Sequence, residues 1–209
     1  MQEIKELSSY RTTLKEKIQQ MSMQLFTSRG IKAVKMDDIA AALGISKRTL
    51  YEIYDDKESL LRAGVSKYME EHRQRMDYIV RNSSSVMEMI LKFYKTHLEE
   101  SSHVSPLFFS DLEKYPSILS TLHRNQEEKL KFYMGFMKRG VEEGYFREDI
   151  NYKLISHMFD ALGKYMMENH LYEAYTFKEL YYNMLFVSIR GFCTDKGVKY
   201  IDNTILEDE

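Results

Sequence analysis

Residues 36–61 read MDDIAAALGISKRTLYEIYDDKESLL, and their pattern decides the fold class. Met36, Ile39, Ala40 and Leu43 recur at i, i+3, i+4 and i+7, the spacing that lines one face of a helix. Asp37 and Asp38 fall in its first turn, where the helix dipole favours negative charge. Gly44 ends that helix, since glycine takes the left-handed backbone of a sharp interhelical turn at no steric cost. Ser46 is placed to cap a second helix that starts near Lys47. Two short helices meeting at a glycine turn, the second opening on a basic, hydroxyl-rich end, form the pattern of a helix-turn-helix that reads DNA.

In that motif the start of the second helix meets base edges in the major groove, so Lys47, Arg48 and Thr49 become candidate readers. Arg48 can grip guanine O6 and N7 with two parallel bonds, Lys47 suits a guanine or a phosphate, and Thr49 offers a hydroxyl or a methyl. Leu50 and Tyr54, four apart, point to the packing side, while Tyr51 sits at the edge where a phenol reaches a phosphate. Asp55 and Glu58 fit a D-x-x-E capping box for the next helix. Lys57 then lies in its first turn, beside backbone donors that favour anions, and is placed to hold a phosphate.

Upstream, Leu14, Ile18, Met21, Leu25 and Phe26 mark a first helix that Gly30 ends, so residues 11 to about 62 make a three-helix unit. The fourth helix, from Asp56 towards Arg81, starts in this unit and continues beyond it, a route by which movement in the rest of the chain reaches the reading head. The polar run Asn82 to Ser85 is the first clear break. Further helices are expected at about 86–101, 106–120, 122–142, 151–170 and 177–194, with Pro106 at a helix start after Ser105 and a turn near Gly144.

Composition agrees with an all-α fold. The chain has 209 residues, enough for one or two domains with a substantial core, and only two prolines and nine glycines, which favours long helices over a β-rich fold. A net charge of −2 argues against an indiscriminately basic nucleic-acid coat, yet residues 1–62 hold eleven Lys/Arg against nine Asp/Glu, the sign expected of a DNA-binding end on an acidic body. Cys193 is the single cysteine, so no intrachain disulfide or cysteine-based metal site forms, which fits a reducing compartment. The N-terminus lacks the apolar core of a signal peptide and no run reaches the ~18 apolar residues of a membrane span. A cytoplasmic protein with no membrane partner is the expectation.

The run from Leu14 to Leu61, with its IA, LGIS, TLY, aromatic, DK and LL elements in order, resembles the DNA-binding domain of the TetR family of transcriptional regulators. The resemblance covers about a quarter of the chain; the remainder is similar in being helical and of the expected length, and nine helices is the family's usual count. It implies an N-terminal DNA-binding domain over 1–62 and, over 63–209, a helical domain that binds a small effector and dimerises. It also implies a homodimer on a roughly palindromic double-stranded operator. By position, Tyr51 and Lys57 match the family's phosphate contacts, and Lys47, Arg48 and Thr49 its base-reading segment. Three positions depart from the common pattern. Lys35 stands where a Ser or Thr usually caps the second helix, removing a bond worth about 1 kcal/mol but offering a cation to a phosphate. Arg48 replaces a residue that is often small, and Ile53 one that is frequently polar.

The helices near 151–170 and 177–194 are apolar around more than one face, which a helix facing only its own core does not need. Ile155, Phe159, Leu162 and Met166 on one and Met184, Ser188 and Gly191 on the other are candidates for a four-helix dimer interface, where small residues permit close approach. The alternative is that these helices are central in the monomer. For the effector, Phe93, His97, Phe108, Phe109, Tyr133, Phe136, Met137, Met158 and Tyr165 are candidate lining residues, since thioethers and aromatic walls suit an adaptable apolar pocket, although each is more readily explained as ordinary core. No ligand class follows from them.

Two other functional classes compete with this reading. A di-metal helical enzyme needs two Glu-x-x-His pairs, and the chain offers one, Glu100 with His103; it has no Gly-rich phosphate loop, no G-x-S-x-G and no H-E-x-x-H. A non-enzyme without cofactor or metal is expected. A helical interaction protein whose head has lost DNA affinity is the other alternative. The favoured reading is a ligand-responsive regulator, a repressor rather than an activator, because occupying an operator requires no polymerase-contacting surface.

Overall fold

The computed structural model describes residues 2–122 and 126–205, with side chains described over 9–120 and 129–204. Its elements are helical, with one isolated antiparallel bridge between Phe146 and Cys193. No helix among the described residues is long and apolar enough to cross a membrane. The chain divides into two compact units, residues through Arg73 together with His103–Leu122, and Gln74–Ser102 together with the residues after Leu122.

The first unit opens with α1, Gln2–Arg29, which begins well before the apolar stripe that announces it. Gly30 stops the helix at φ 85°. A Cβ there would lie 2.9 Å from Leu107 Cβ, so both the backbone angle and the close approach require glycine. α2 is Met36–Leu43, α3 is Lys47–Tyr51, and α4 is Lys57–Arg81, which starts in this unit. The expected helix over 106–120 is instead two, α6 Pro106–Leu112 and α7 Pro116–Leu122, because Pro116 cannot donate within a continuing helix and opens a new one. Ile18, Phe26, Ile31, Ile39, Leu50, Leu60 and Leu61 are fully buried at the centre, joined by Phe108, Leu112 and Ile118 from α6 and α7.

Asp111 is the charged member of this interior. Its Oδ2 accepts the Lys32 N–H at 2.7 Å and its Oδ1 the Lys114 ammonium at 2.9 Å, which fixes α6 to the turn after α1. Ser105 adds a backbone bond to Thr27 at 2.7 Å.

The second unit holds the rest of α4, then α5 Val86–Ser102, α8 Gln126–Glu142 and α9 Tyr152–Glu168. The short α10 Leu171–Ala174 follows. The expected 177–194 helix is α11 Phe177–Leu180, a π-helical stretch Tyr181–Phe186 and α12 Val187–Phe192. α13, Asp195–Ile205, lies beyond the expected set. Residues 123–125 of the expected 122–142 helix are outside the described residues. The core is aromatic: Phe146 sits edge-on to Phe192 at 5.2 Å, with Tyr152 5.8 Å from Phe192, and Met87, Ile90, Met137 and Phe186 around them.

Candidate nucleic-acid interface

The reading head is assembled by local chemistry. Gly44 adopts φ 64° and returns its N–H and that of Ile45 to the end of α2 at Ala41 and Ala40, closing the turn as expected. Ser46 caps α3: its Oγ accepts the Thr49 N–H at 3.0 Å. Lys35 supplies no side-chain cap to α2; Asp38 instead accepts the Lys35 N–H at 2.8 Å, the reverse half of a capping box. The capping pair of α4 is Asp56 with Ser59, not Asp55 with Glu58. Asp56 Oδ1 accepts the Ser59 N–H at 2.6 Å, while Glu58 is turned outward to Arg62 and Ser117.

Leu50 is fully buried and Tyr54 nearly so, which anchors α3 and leaves Lys47 and Arg48 on the solvent side. Lys47 Nζ pairs with Asp37 at 2.7 Å, and that carboxylate raises its pKa, keeping it charged. Arg48 donates from Nε to Glu52 at 2.9 Å, with 89% of its side chain exposed. Thr49 Oγ1 is 2.8 Å from Ser46 Oγ, so its hydroxyl is engaged with the cap. Tyr51 is 42% exposed, its ring 6.0 Å from Lys47 Nζ. Lys35 is exposed at the start of α2. Lys57 Nζ donates to the carbonyls of Ile31 at 2.9 Å and Val34 at 3.0 Å, leaving one of its three protons for an outside acceptor.

Three further residues support these groups in roles that the motif does not spell out. Asp37 and Glu52 hold the two cations, and Arg11 of α1 donates to the Glu52 carbonyl at 3.3 Å. Glu52 was legible as the i+4 partner of Arg48. Arg11, forty-one positions away, carries no local signal.

The model of bacterial regulatory proteins of the tetR family matches residues 20–64, the stretch just described. That stretch is a DNA-binding domain of the TetR type. The regulator is 25% identical over 147 residues to the transcriptional repressor KstR2 of Mycolicibacterium smegmatis, covering 68% of this chain and 71% of that one. It is 35% identical over 81 residues to the uncharacterized regulator YvaF of Bacillus subtilis, covering 38% and 43%. The fold is shared with KstR2 of Mycobacterium tuberculosis (TM-score 0.58, 20% identity, 87% of this chain and 95% of that one). It is shared as well with a transcriptional regulator from Cytophaga hutchinsonii (TM-score 0.67, 20% identity, 86% and 98%). These relatives make this a DNA-binding regulator and not an enzyme. Glu100, half of the single Glu-x-x-His pair, is bound to Arg75 at 2.7 Å.

The other candidate residues divide between the units. Phe108 and Phe109 belong to the core of the first, the remaining effector candidates to the second. There Phe93 lies 6.3 Å from Phe136, Met137 is buried, and His97 stacks on Tyr181 at 5.7 Å. The Tyr133 hydroxyl is buried without a hydrogen-bond partner among the described residues, and burial raises its pKa. Met158 is half-buried and Tyr165 is 56% exposed. Of the interface candidates, Ile155 and Phe159 pack on the second core. Leu162, Met166, Met184 and Ser188 are half-buried and Gly191 is exposed. Leu154 and Val187, on the same helices, are 64% and 56% exposed, and a Cβ at Gly163 or Gly191 would meet nothing within 4 Å.

Proposed function

We propose that the chain is a ligand-responsive repressor that binds a palindromic operator as a homodimer. Residues 1–62 act as the DNA-binding domain and 63–209 as the effector-binding and dimerisation domain. The observation that carries the reading is the outward display of Lys47 and Arg48 on a capped α3 whose Leu50 is fully buried, so the cations project from a fixed support. Arg48 and Lys47 read base edges. Tyr51, Lys57 and Lys35 hold phosphates, and Thr49 meets the DNA through its methyl, its hydroxyl being engaged with Ser46.

The exposed apolar residues on α9 and α12, with open space over Gly163 and Gly191, support pairing of these helices with their counterparts in a second copy. An effector is supported by the unpartnered Tyr133 hydroxyl on an aromatic-rich helix, a donor that a polar group on an apolar small molecule satisfies. Two α3 helices enter successive major grooves at a separation of about 34–36 Å, so a ligand favouring a dimer of different spacing lowers operator affinity. Repression follows the naming of KstR2 as a repressor and needs only occupancy of the operator. Such a protein works in the cytoplasm.

The test is selection of bound duplexes from a randomised pool by the purified protein. A two-fold symmetric sequence is expected. Recovery of no enriched sequence by folded, ligand-free protein would overturn the reading in favour of a helical interaction protein.

A further inference from the structure

Arg48 and Glu52 form an exposed i,i+4 pair on the solvent face of α3, with side chains 89% and 57% accessible, a kind of pair that contributes little to stability. Its geometry gives it another use. The bond runs from Nε of Arg48 to Oε1 of Glu52 at 2.9 Å, and the two terminal nitrogens have no partner among the described residues. Those terminal donors form the fork that matches guanine O6 and N7. A guanidinium held by Nε keeps its planar orientation and presents its fork away from the holding carboxylate, whereas a free arginine samples many rotamers and loses that freedom on binding.

Glu52 is itself held in place. Its N–H donates to the Arg48 carbonyl at 2.9 Å, and its own carbonyl accepts Arg11 Nη2 from α1 at 3.3 Å. Lys47 has a partner too, Asp37, but an ammonium is a point charge with no fork to aim.

We propose that Glu52 is a positioning residue for base recognition: it orients Arg48 through Nε so that the terminal nitrogens read guanine, and Arg11 fixes the end of α3 from which Glu52 acts. The carboxylate also opposes nearby phosphates, so it raises discrimination twice, by aiming the reader and by weakening attachment to DNA lacking the guanine. This rests on Arg48 as the base reader.

The experiment measures binding of the full chain to the duplex recovered by selection, to that duplex with each base pair replaced in turn, and to an unrelated duplex of about 30 base pairs, long enough for two half-sites a helical turn apart. Wild type is compared with Arg48→Ala, Glu52→Ala and Glu52→Gln. Arg48→Ala flattens the preference at one guanine per half-site. Glu52→Ala reduces the preference at that same guanine about tenfold, within the range one bidentate contact supplies. Glu52→Gln restores part of it, since the amide oxygen still accepts from Nε. Both Glu52 variants bind the unrelated duplex more tightly, by similar factors, because both remove the charge. The positioning role is overturned if Glu52→Ala leaves the guanine preference intact or weakens all positions alike. If Arg48→Ala flattens no position, the assignment of Arg48 as reader fails first and takes the role of Glu52 with it.

Discussion

The ammonium of Lys57 lies 2.9 Å from the carbonyl oxygen of Ile31, fastening the first turn of α4 to the segment between α1 and α2. A second bond to Val34 makes this lysine both a brace and a charge. Lys57→Ala is therefore expected to lower the stability of the first unit by about 1–3 kcal/mol and to weaken binding to all DNA sequences alike. The salt dependence should become shallower by about one unit. Urea denaturation read beside a salt titration separates the effects; a stability loss with an unchanged salt slope would leave Lys57 a brace alone.

Arg48 and Ser46 test the two halves of α3 separately. Arg48→Ala should cost about 1–3 kcal/mol on the selected duplex and relax one base preference without changing the melting temperature. Ser46→Ala removes the acceptor for the Thr49 N–H and should cost about 1 kcal/mol of stability. Equal losses on every duplex for Arg48→Ala would show a phosphate contact rather than a reader.

Asp111 makes the first unit sensitive to acid. Burial works to raise its pKa, but the Lys114 ammonium and the Lys32 N–H outweigh it and hold the carboxyl below its ordinary value. A depressed folded-state pKa means that the stabilisation is complete above the unfolded value of about 3.9 and is lost as pH falls through the folded value. Asp111→Asn should thus be less stable than wild type by about 1–3 kcal/mol at pH 7, with the gap closing in strong acid. Urea midpoints across that range check it, and a gap constant with pH would contradict the role of the charge.

Val187 is 56% exposed on α12 and Leu154 is 64% exposed on α9. A glutamate at either position adds charge to the surface assigned to the dimer, so Val187→Glu with Leu154→Glu is expected to give a monomer of unchanged helical content in sedimentation equilibrium. A persisting dimer would place the contact elsewhere.

The head was legible because its signals are local: the stripe from Met36 to Leu43, glycine at the left-handed turn, serine at the cap and a buried Leu50 each act within about two helical turns. Element boundaries were less legible than the elements themselves. The cap of α4 was expected at Asp55, and it is the next residue, Asp56, that meets a partner, Ser59. Pro116 marked a break inside a stretch whose apolar pattern reads as one helix, and steric restriction prevailed over periodicity. The bond from Lys32 to Asp111, seventy-nine positions apart, and that from Arg11 to Glu52 have no signature along the chain, because each depends on how helices pack. Effector candidates were the least legible, since aromatic and thioether side chains line a core and a pocket by the same chemistry.

Cys193, in the interior of the second unit, is the chain's only thiol, and burial pushes its pKa up to about 11. At neutral pH it is almost entirely the protonated thiol, which is neither a nucleophile nor within reach of a reagent. A cysteine introduced at an exposed position of the head, such as Asp55, would then react alone, giving one probe per chain with the native sulfur left in place. In the proposed homodimer, the distance between two such probes is a direct ruler for head separation with and without a small molecule.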